Sequence, residues 1–231
     1  MNRLSAICVV LFFSVSAYTQ NPIIEEMVDS VTQNDVENII RTLQNFGSRN
    51  SFNNKCDSAV VWVRNKFISY GLDSVYFHNY NSSYAPNVIG VLKGEESTDS
   101  VYIICAHIDA TVGSPSTNES VAPGADDDGS GCACVILAAK IMGNYRFRHD
   151  VRFVCFTGEE QGCVGSSYYA SIHSSENICG VLNFDMVGYT DYSPEDLEVM
   201  TNSTSAWLAD NMVNATNTYV GIPVHKYLDS P

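Results

Sequence analysis

The sequence has few basic residues. It contains 12 Lys and Arg against 26 Asp and Glu, which gives a formal net charge of −14 at pH 7. Nucleic-acid binding depends on clustered Lys and Arg that neutralise phosphates, so this balance argues against a nucleic-acid partner. The acidic excess does not by itself predict a cationic substrate, because most of these carboxylates can belong to a solvated surface.

Long apolar runs are also scarce, and the marked one lies at the N-terminus. In MNRLSAICVVLFFSVSAYTQ, Arg3 precedes a short apolar run that ends in small residues. This is the form of a secretory signal, and the run is too short to span a bilayer comfortably. We therefore expect residues 1–17 to be cleaved after Ala17 and residues 18–231 to be secreted or periplasmic, with no stable membrane insertion. An uncleaved anchor is the alternative.

Cysteines at redox or zinc-binding spacings are absent. Of the eight cysteines, Cys8 lies in the expected signal and seven remain, an odd number that cannot pair completely within one chain. Cys132 and Cys134 are separated by one residue, whereas redox and zinc motifs use two or more. We expect most of the cysteines to be small core residues. A disulfide that involves Cys56 is left open.

The remaining pattern predicts one α/β domain. With 231 residues, 45% of them hydrophobic, the chain can form one sizeable domain and is too short for two comfortable ones. Apolar periodicity predicts helices over 34–46, 56–69, 129–142 and 205–217, and another in GSSYYASIH. Strands are predicted in SVYFHNY, PNVIGVLKG, VYIICAH, VRFVCFT, GVLNFDMVGY and DLEVMT. Alternating helices and strands form a layered α/β domain.

Two details of the helices can be tested against the structure. The first helix has Asn34 and Glu37 in the spacing of an N-terminal capping pair. The second helix is expected to turn four apolar side chains toward the core, namely Val60, Val63, Phe67 and Ile68.

Ionisable residues follow several of the predicted strands directly. VYIICAHIDA ends in His107 and Asp109, VRFVCFTGEEQG ends in Glu159 and Glu160, and Asp185 ends the strand in GVLNFD. A fourth segment, APGADDDGSG, places three consecutive aspartates before a helix. The carboxyl ends of parallel strands meet at one edge of a sheet, so these groups should converge. Histidine and carboxylates are ligands for divalent metal ions, and the convergence predicts a metal-dependent hydrolase.

Each feature alone has an ordinary structural explanation. A single His is more often a surface or core residue, acidic pairs are common on surfaces, and one of Asp126, Asp127 and Asp128 is expected to cap the following helix. Three adjacent carboxylates exceed that need and raise one another's pKa unless a cation is near. Alternation along the strand places positions 107 and 109 on one side, so Asp109 can accept a hydrogen bond from the His107 ring.

The motifs HID, APGADDDGSG, FTGEEQGCVGS and NFDMVGY resemble those of the secreted dizinc exopeptidases related to bacterial leucyl aminopeptidase and aminopeptidase Y. The resemblance runs from about Pro86 to Tyr189 with order and spacing intact. It implies a three-layer α/β/α fold with a mixed, largely parallel central sheet, and two zinc ions per domain. It also implies a cis peptide bond between Asp127 and Asp128.

The resemblance assigns roles to individual residues. Asp127 would bridge both zinc ions, His107 and Asp185 would be terminal ligands of one, and Glu160 would be a ligand of the other. Glu159 would be the general base that activates a metal-bridging water, and Asp109 would orient His107. The implied activity is hydrolysis of peptides or small proteins from the amino end.

Two other classes of function stay open. The glutaminyl cyclases, which are single-zinc acyltransferases, share the implied fold, but they lack the His-x-Asp pair that His107 and Asp109 form here. The second class is a binding module with an incomplete catalytic site. It is kept because the family's fifth ligand, a His in a Ser-Asp-His motif, is not found before the chain ends at residue 231. His225 lacks that context and is not expected to replace it. We therefore expect residues 18–231 to be a single catalytic domain whose C-terminal part is missing.

Overall fold

The computed structural model describes residues 20–189 and 193–228. The predicted signal peptide, residues 1–17, lies outside the described residues. Within those residues, no helix has the length and apolar character needed to cross a membrane. The helices in chain order are α1 (Pro22–Asp29), α2 (Gln33–Asn45), α3 (Asn54–Ser69), α4 (Gly129–Met142), α5 (Val164–Ile172) and α6 (Ala206–Ala215), which continues as a π-helical turn over Thr216–Val220. The strands are β1 (Ser74–His78), β2 (Asn87–Leu92), β3 (Ser100–His107), β4 (Asp150–Phe156), β5 (Asn177–Asn183), β6 (Leu197–Thr201) and β7 (Val224–Leu228).

The strands form two sheets. The larger one has five strands in the order β1-β2-β4-β3-β5, and β6 and β7 form a parallel pair of their own. β1, β2 and β4 pair antiparallel, whereas β3 pairs parallel with both β4 and β5. The sheet is therefore mixed, and its parallel part consists of the strands that carry the ionisable motifs.

Alternate residues of the central strands face two different apolar cores. In β2, Val88 and Leu92 pack in the core formed with α2, α3 and α4, while Ile89 and Val91 belong to a smaller core that includes Tyr169 of α5. Side chains in a strand alternate between the two faces of the sheet. Because helices cover both faces here, both sets of side chains are buried, which explains why the strand sequences are continuously apolar. This arrangement confirms the predicted layered α/β fold.

Most of the predicted elements are present, and α4 has the predicted bounds. Nine of its residues are buried, as its nearly uniform apolar surface predicts. The short helix α1 was not predicted, and none of its residues is buried. The cysteine prediction is also confirmed: of the seven described cysteines, all free, Cys56, Cys105, Cys132 and Cys155 are buried.

Two details of the helix predictions are wrong. The N-cap of α2 is Thr32, whose hydroxyl accepts a hydrogen bond from the Asp35 N–H at 3.1 Å, so Asn34 and Glu37 do not form the cap. Ile68 is 48% exposed, while Phe67 beside it is fully buried. Adjacent residues of an α-helix point about 100° apart, and Ile68 turns away from the core that Phe67 enters.

Candidate metal centre

Three parallel strands deliver the predicted residues to one edge of the sheet. His107 is the last residue of β3, Glu159 and Glu160 follow β4 after a short turn, and Asp185 lies two residues beyond β5. Asp127 comes from the loop that enters α4. These five residues are the ones that sequence analysis selected as catalytic or metal-binding.

The His107 ring is the centre of the cluster. Its Nε2 atom lies 3.1 Å from Asp127 Oδ1, and 3.9 Å from both Glu159 Oε2 and Asp185 Oδ1. Donor atoms of His107, Asp127 and Glu160 all lie within 4.8 Å of one another. The side chain of His107 is 5% exposed, whereas Asp127, Glu159 and Asp185 are 36–49% exposed. One buried imidazole therefore faces a set of carboxylates that solvent can reach.

The three consecutive aspartates have different partners. Asp126 Oδ1 accepts hydrogen bonds from the Ser130 hydroxyl at 2.9 Å and the Gly188 N–H at 2.8 Å. Asp127 is the one directed at His107. The peptide bond between Asp127 and Asp128 is cis, as the resemblance implied.

Asp128 is the expected helix cap. Its Oδ1 accepts from the N–H groups of Gly131, at 2.9 Å, and Met186, at 3.3 Å, and its Oδ2 accepts from the His107 N–H at 3.1 Å. Asp128 also has an oxygen within 4.8 Å of donor atoms of His107 and Asp185. Since its oxygens already accept three backbone hydrogen bonds, Asp128 holds α4 against the ends of β3 and β5.

Asp109 is fully buried beneath the cluster. Its carboxylate accepts from the Ser51 hydroxyl at 2.9 Å and from the N–H groups of Glu159 and Glu160, each at 3.2 Å. The His107 Nδ1 atom lies 3.1 Å from the Asp109 carbonyl oxygen and 3.6 Å from its carboxylate. Asp109 therefore orients the ring through its carbonyl as well as its carboxylate, and it also fixes the backbone of the Glu159–Glu160 turn.

Sequence analysis did not identify the segment around Arg49, which holds the backbone of the site in place. Arg49 is fully buried, and its guanidinium donates to the carbonyl oxygens of Ile108 at 2.7 Å, Gly124 at 2.7 Å and Pro123. These carbonyls belong to the two loops that carry His107 and Asp127 toward the centre. In GSRNSFNN, a polar stretch after a helix, nothing distinguishes Arg49 from an ordinary loop residue.

The electrostatics of the cluster show an excess of negative charge. Burial, followed by the nearby charges of Asp127 and Asp109, raises the pKa of Glu160 to about 7. Burial opposes protonation of His107, but the Asp109 carboxylate and further carboxylates outweigh it and raise the His107 pKa to about 10. Metal ligands bind in their deprotonated forms, so a cation that binds here displaces the His107 proton.

The donor set fits a divalent metal. Among residues 20–189 and 193–228, no Lys or Arg side chain forms an ion pair with Asp127, Glu159, Glu160 or Asp185. The His107 Nε2 atom faces carboxylate oxygens, among them Asp127 Oδ1 at 3.1 Å, and a bound cation would take the place of the ring proton there. Imidazole nitrogen and carboxylate oxygens are both ligands that zinc binds in proteins.

His225 is not part of this cluster. It lies on β7, and its Nε2 atom is 3.3 Å from the carboxylate of Asp196. Neither of the two groups of candidate ligands found in the described part of the chain includes it.

Comparison with known proteins finds relatives in sequence and a shared fold among solved structures. Probable zinc metalloproteases from Leptosphaeria maculans and Pyrenophora teres f. teres are 32% and 29% identical over 187 and 189 residues. These matches cover 71% of this chain but 43% and 41% of the relatives, so the chain spans about two-fifths of their length.

Solved structures share the fold. The Legionella pneumophila aminopeptidase LapA superimposes with a TM-score of 0.78 at 21% identity, covering 97% of this chain and 60% of LapA. A glutaminyl cyclase from Bacteroides thetaiotaomicron gives 0.60 at 15% identity, covering 84% of this chain and 76% of the cyclase. The model of Peptidase family M28 matches residues 87–228, from β2 to the end of β7. This chain belongs to peptidase family M28.

Proposed function

We propose that this chain is the catalytic part of a zinc-dependent exopeptidase that releases N-terminal residues from peptides or small proteins. One observation carries the proposal. Carboxylates from three separate segments converge on the Nε2 atom of one buried histidine, and no Lys or Arg side chain of the described residues neutralises them. Membership of peptidase family M28 supports peptide-bond hydrolysis as the reaction.

His107, Asp127 and Asp185 would hold one zinc ion, and Glu160 together with Asp127 would hold the second. When bound, zinc lowers the pKa of a water molecule and polarises the carbonyl group of the scissile bond.

Glu159 is the general base. Its backbone N–H is fixed by Asp109 at 3.2 Å, and its side chain is 36% exposed, so its carboxylate can reach a water molecule at the centre. It takes the proton of the attacking water and delivers it to the leaving amine. Asp109 keeps His107 and the Glu159–Glu160 turn in fixed positions while this transfer takes place.

Preference for the amino end is supported by LapA, an aminopeptidase that shares the fold. We also propose that the protein is exported, on the basis of the signal-like residues 1–17. N-terminal sequencing of the secreted protein, with cleavage after Ala17 as the expected result, tests the export proposal.

Hydrolysis of an aminoacyl-arylamide panel, with N-acetylated substrates as controls, tests the proposed activity. It is measured on this chain. We expect turnover of free-amine substrates only, zinc in the active protein, and loss of both zinc and turnover in His107→Ala. His225→Ala, an exposed histidine outside the cluster, is the matched control and should behave as the unaltered protein.

The same variants separate the competing functions. A glutaminyl cyclase would cyclise N-terminal glutaminyl substrates and would retain most of its activity in His107→Ala. A binding module would fold without tight zinc binding and without turnover. Either result would overturn the peptidase proposal.

A further inference from the structure

A loop beside the metal centre is wrapped around one carboxylate that none of the predicted motifs includes. Glu119 Oε2 accepts from the Thr111 hydroxyl at 2.7 Å, the Val112 N–H at 3.2 Å and the Asn50 amide at 3.1 Å, and Glu119 Oε1 accepts from the Ser114 N–H at 2.9 Å. The two carboxylate oxygens thus hold both ends of the segment from Thr111 to Ser114 in one conformation.

The backbone of Glu119 is anchored as well. Its carbonyl oxygen accepts from the Ser48 hydroxyl at 2.6 Å and from the Asn53 side-chain amide at 3.1 Å. Both donors flank Arg49, which is fully buried and hydrogen-bonded to the loops that enter the metal centre. The position of Glu119 is therefore set by a rigid part of the protein rather than by the surface loop that it organises.

The loop held by Glu119 makes a direct hydrogen bond to a proposed metal ligand. The Thr111 N–H donates to Glu160 Oε1 at 3.0 Å, and Gln161, the next residue, donates its side-chain amide to the Pro115 carbonyl oxygen at 2.8 Å. A hydrogen bond to one oxygen of a ligating carboxylate fixes the direction of the other oxygen. Such outer partners commonly change metal affinity 10–100-fold when they are removed.

We propose that Glu119 is a positioning residue for the metal centre, because it holds the Thr111 N–H that orients Glu160. The inference rests on the proposed role of Glu160 as a zinc ligand. A carboxylate suits the position because every group that faces it is a donor, and only a carboxylate offers acceptors on both oxygens. A glutamine of the same shape would turn an NH₂ group toward those donors.

The simpler alternative is that Glu119 stabilises a surface loop and nothing more. Under that alternative, Glu119→Gln would loosen the loop without affecting zinc, or would weaken zinc binding whether or not Glu160 is a carboxylate. The two accounts therefore differ in whether the effect depends on Glu160, which a double-variant cycle measures directly.

The experiment measures zinc affinity by competition with a chromophoric chelator, together with hydrogen exchange of the Thr111 to Ser114 amides in the metal-free protein. We expect Glu119→Gln to bind zinc roughly tenfold more weakly and to exchange these amides faster, with an unchanged thermal midpoint. Glu25→Gln, at an exposed carboxylate of α1, is the matched control and should change neither quantity. Thr111→Ala, which removes one donor to Glu119, should give a smaller change of the same kind.

In the Glu160→Gln background, Glu119→Gln should cause no further loss of zinc affinity. Unchanged affinity in Glu119→Gln, or an equal loss with and without the Glu160 carboxylate, would overturn the inference. Failure of the proposed metal centre is distinguishable, because the unaltered protein would then bind no zinc at all. Failure of the inference alone would leave zinc binding of the unaltered protein intact.

Discussion

Two regions of this molecule contain similar apolar strands but differ in how far the rest of the chain buries those strands. All six residues of β2 are buried, and helices pack on both faces of β2, β4 and β3. In β5, by contrast, no residue is buried, and β6 and β7 likewise have only half-buried and exposed residues. We call these regions the covered half and the open half.

A groove of about 460 Å³ separates β5 from β6. The groove is lined by residues 181–185 at the end of β5, by residues 197–202 in and just after β6, and by side chains of α6. Val181 in β5 is 48% exposed and Met200 in β6 is 69% exposed. An apolar, β-branched run is therefore enough to predict a strand. Whether that strand is buried depends on which other segments pack over it.

The proposed metal centre lies where the two halves meet. His107, Asp127 and the Glu159–Glu160 turn come from the covered half, where Arg49 and Asp109 fix their backbone. Asp185 comes from the end of β5 and lines the groove. The rigid part of the centre is therefore on the covered side.

The largest expected effect contrasts one side chain from each half. Phe153 of β4 is fully buried, so Phe153→Ala should lower the free energy of unfolding by about 3–5 kcal/mol. Met200→Ala, at a side chain that is 69% exposed, should change it by less than about 0.5 kcal/mol. Urea denaturation measures both, and similar losses for the two variants would mean that β6 is covered in solution.

A smaller effect tests whether Arg49 is the support of the covered half. Its three hydrogen bonds to carbonyl oxygens need the planar guanidinium, and a lysine can replace only part of them. Arg49→Lys should cost about 2 kcal/mol, since a hydrogen bond to a charged group contributes about 1.5–3 kcal/mol. The control is Arg41→Lys, at a side chain that is 72% exposed, and it should cost almost nothing in the same denaturation assay. Equal stability of the two variants would contradict the supporting role of Arg49.

Much of the fold and the candidate site follows from the sequence because the signals are local. The bounds of α4, the strands that precede His107 and Glu159, and the capping role of one aspartate all depend on residues within a few positions of one another. Family motifs added the choice of Asp127 over its neighbours, and the structure directs Asp127 rather than Asp126 toward His107.

The remainder depends on contacts between distant segments. Arg49 acts on carbonyls that lie 59 to 75 positions away, and Ser51 reaches Asp109 across 58 positions. Glu119 appears in the sequence as one acidic residue in a polar loop, and its role is visible only from the donors that surround it. The prediction that Ile68 is buried is wrong because it used only the apolar character of the residue. It did not consider that Ile68 and Phe67 point in different directions from the helix.

Zinc content and turnover of Asp127→Asn and Glu159→Gln, measured together, test the central claim most directly. Both substitutions are nearly isosteric and each removes one negative charge from the same cluster, so a general charge effect would alter them equally. The account predicts that Asp127→Asn loses zinc, whereas Glu159→Gln keeps the zinc content of the unaltered protein and loses turnover by about 10²–10⁴-fold. Equal loss of zinc in both variants, or full turnover in Glu159→Gln, would contradict the division between metal ligand and general base.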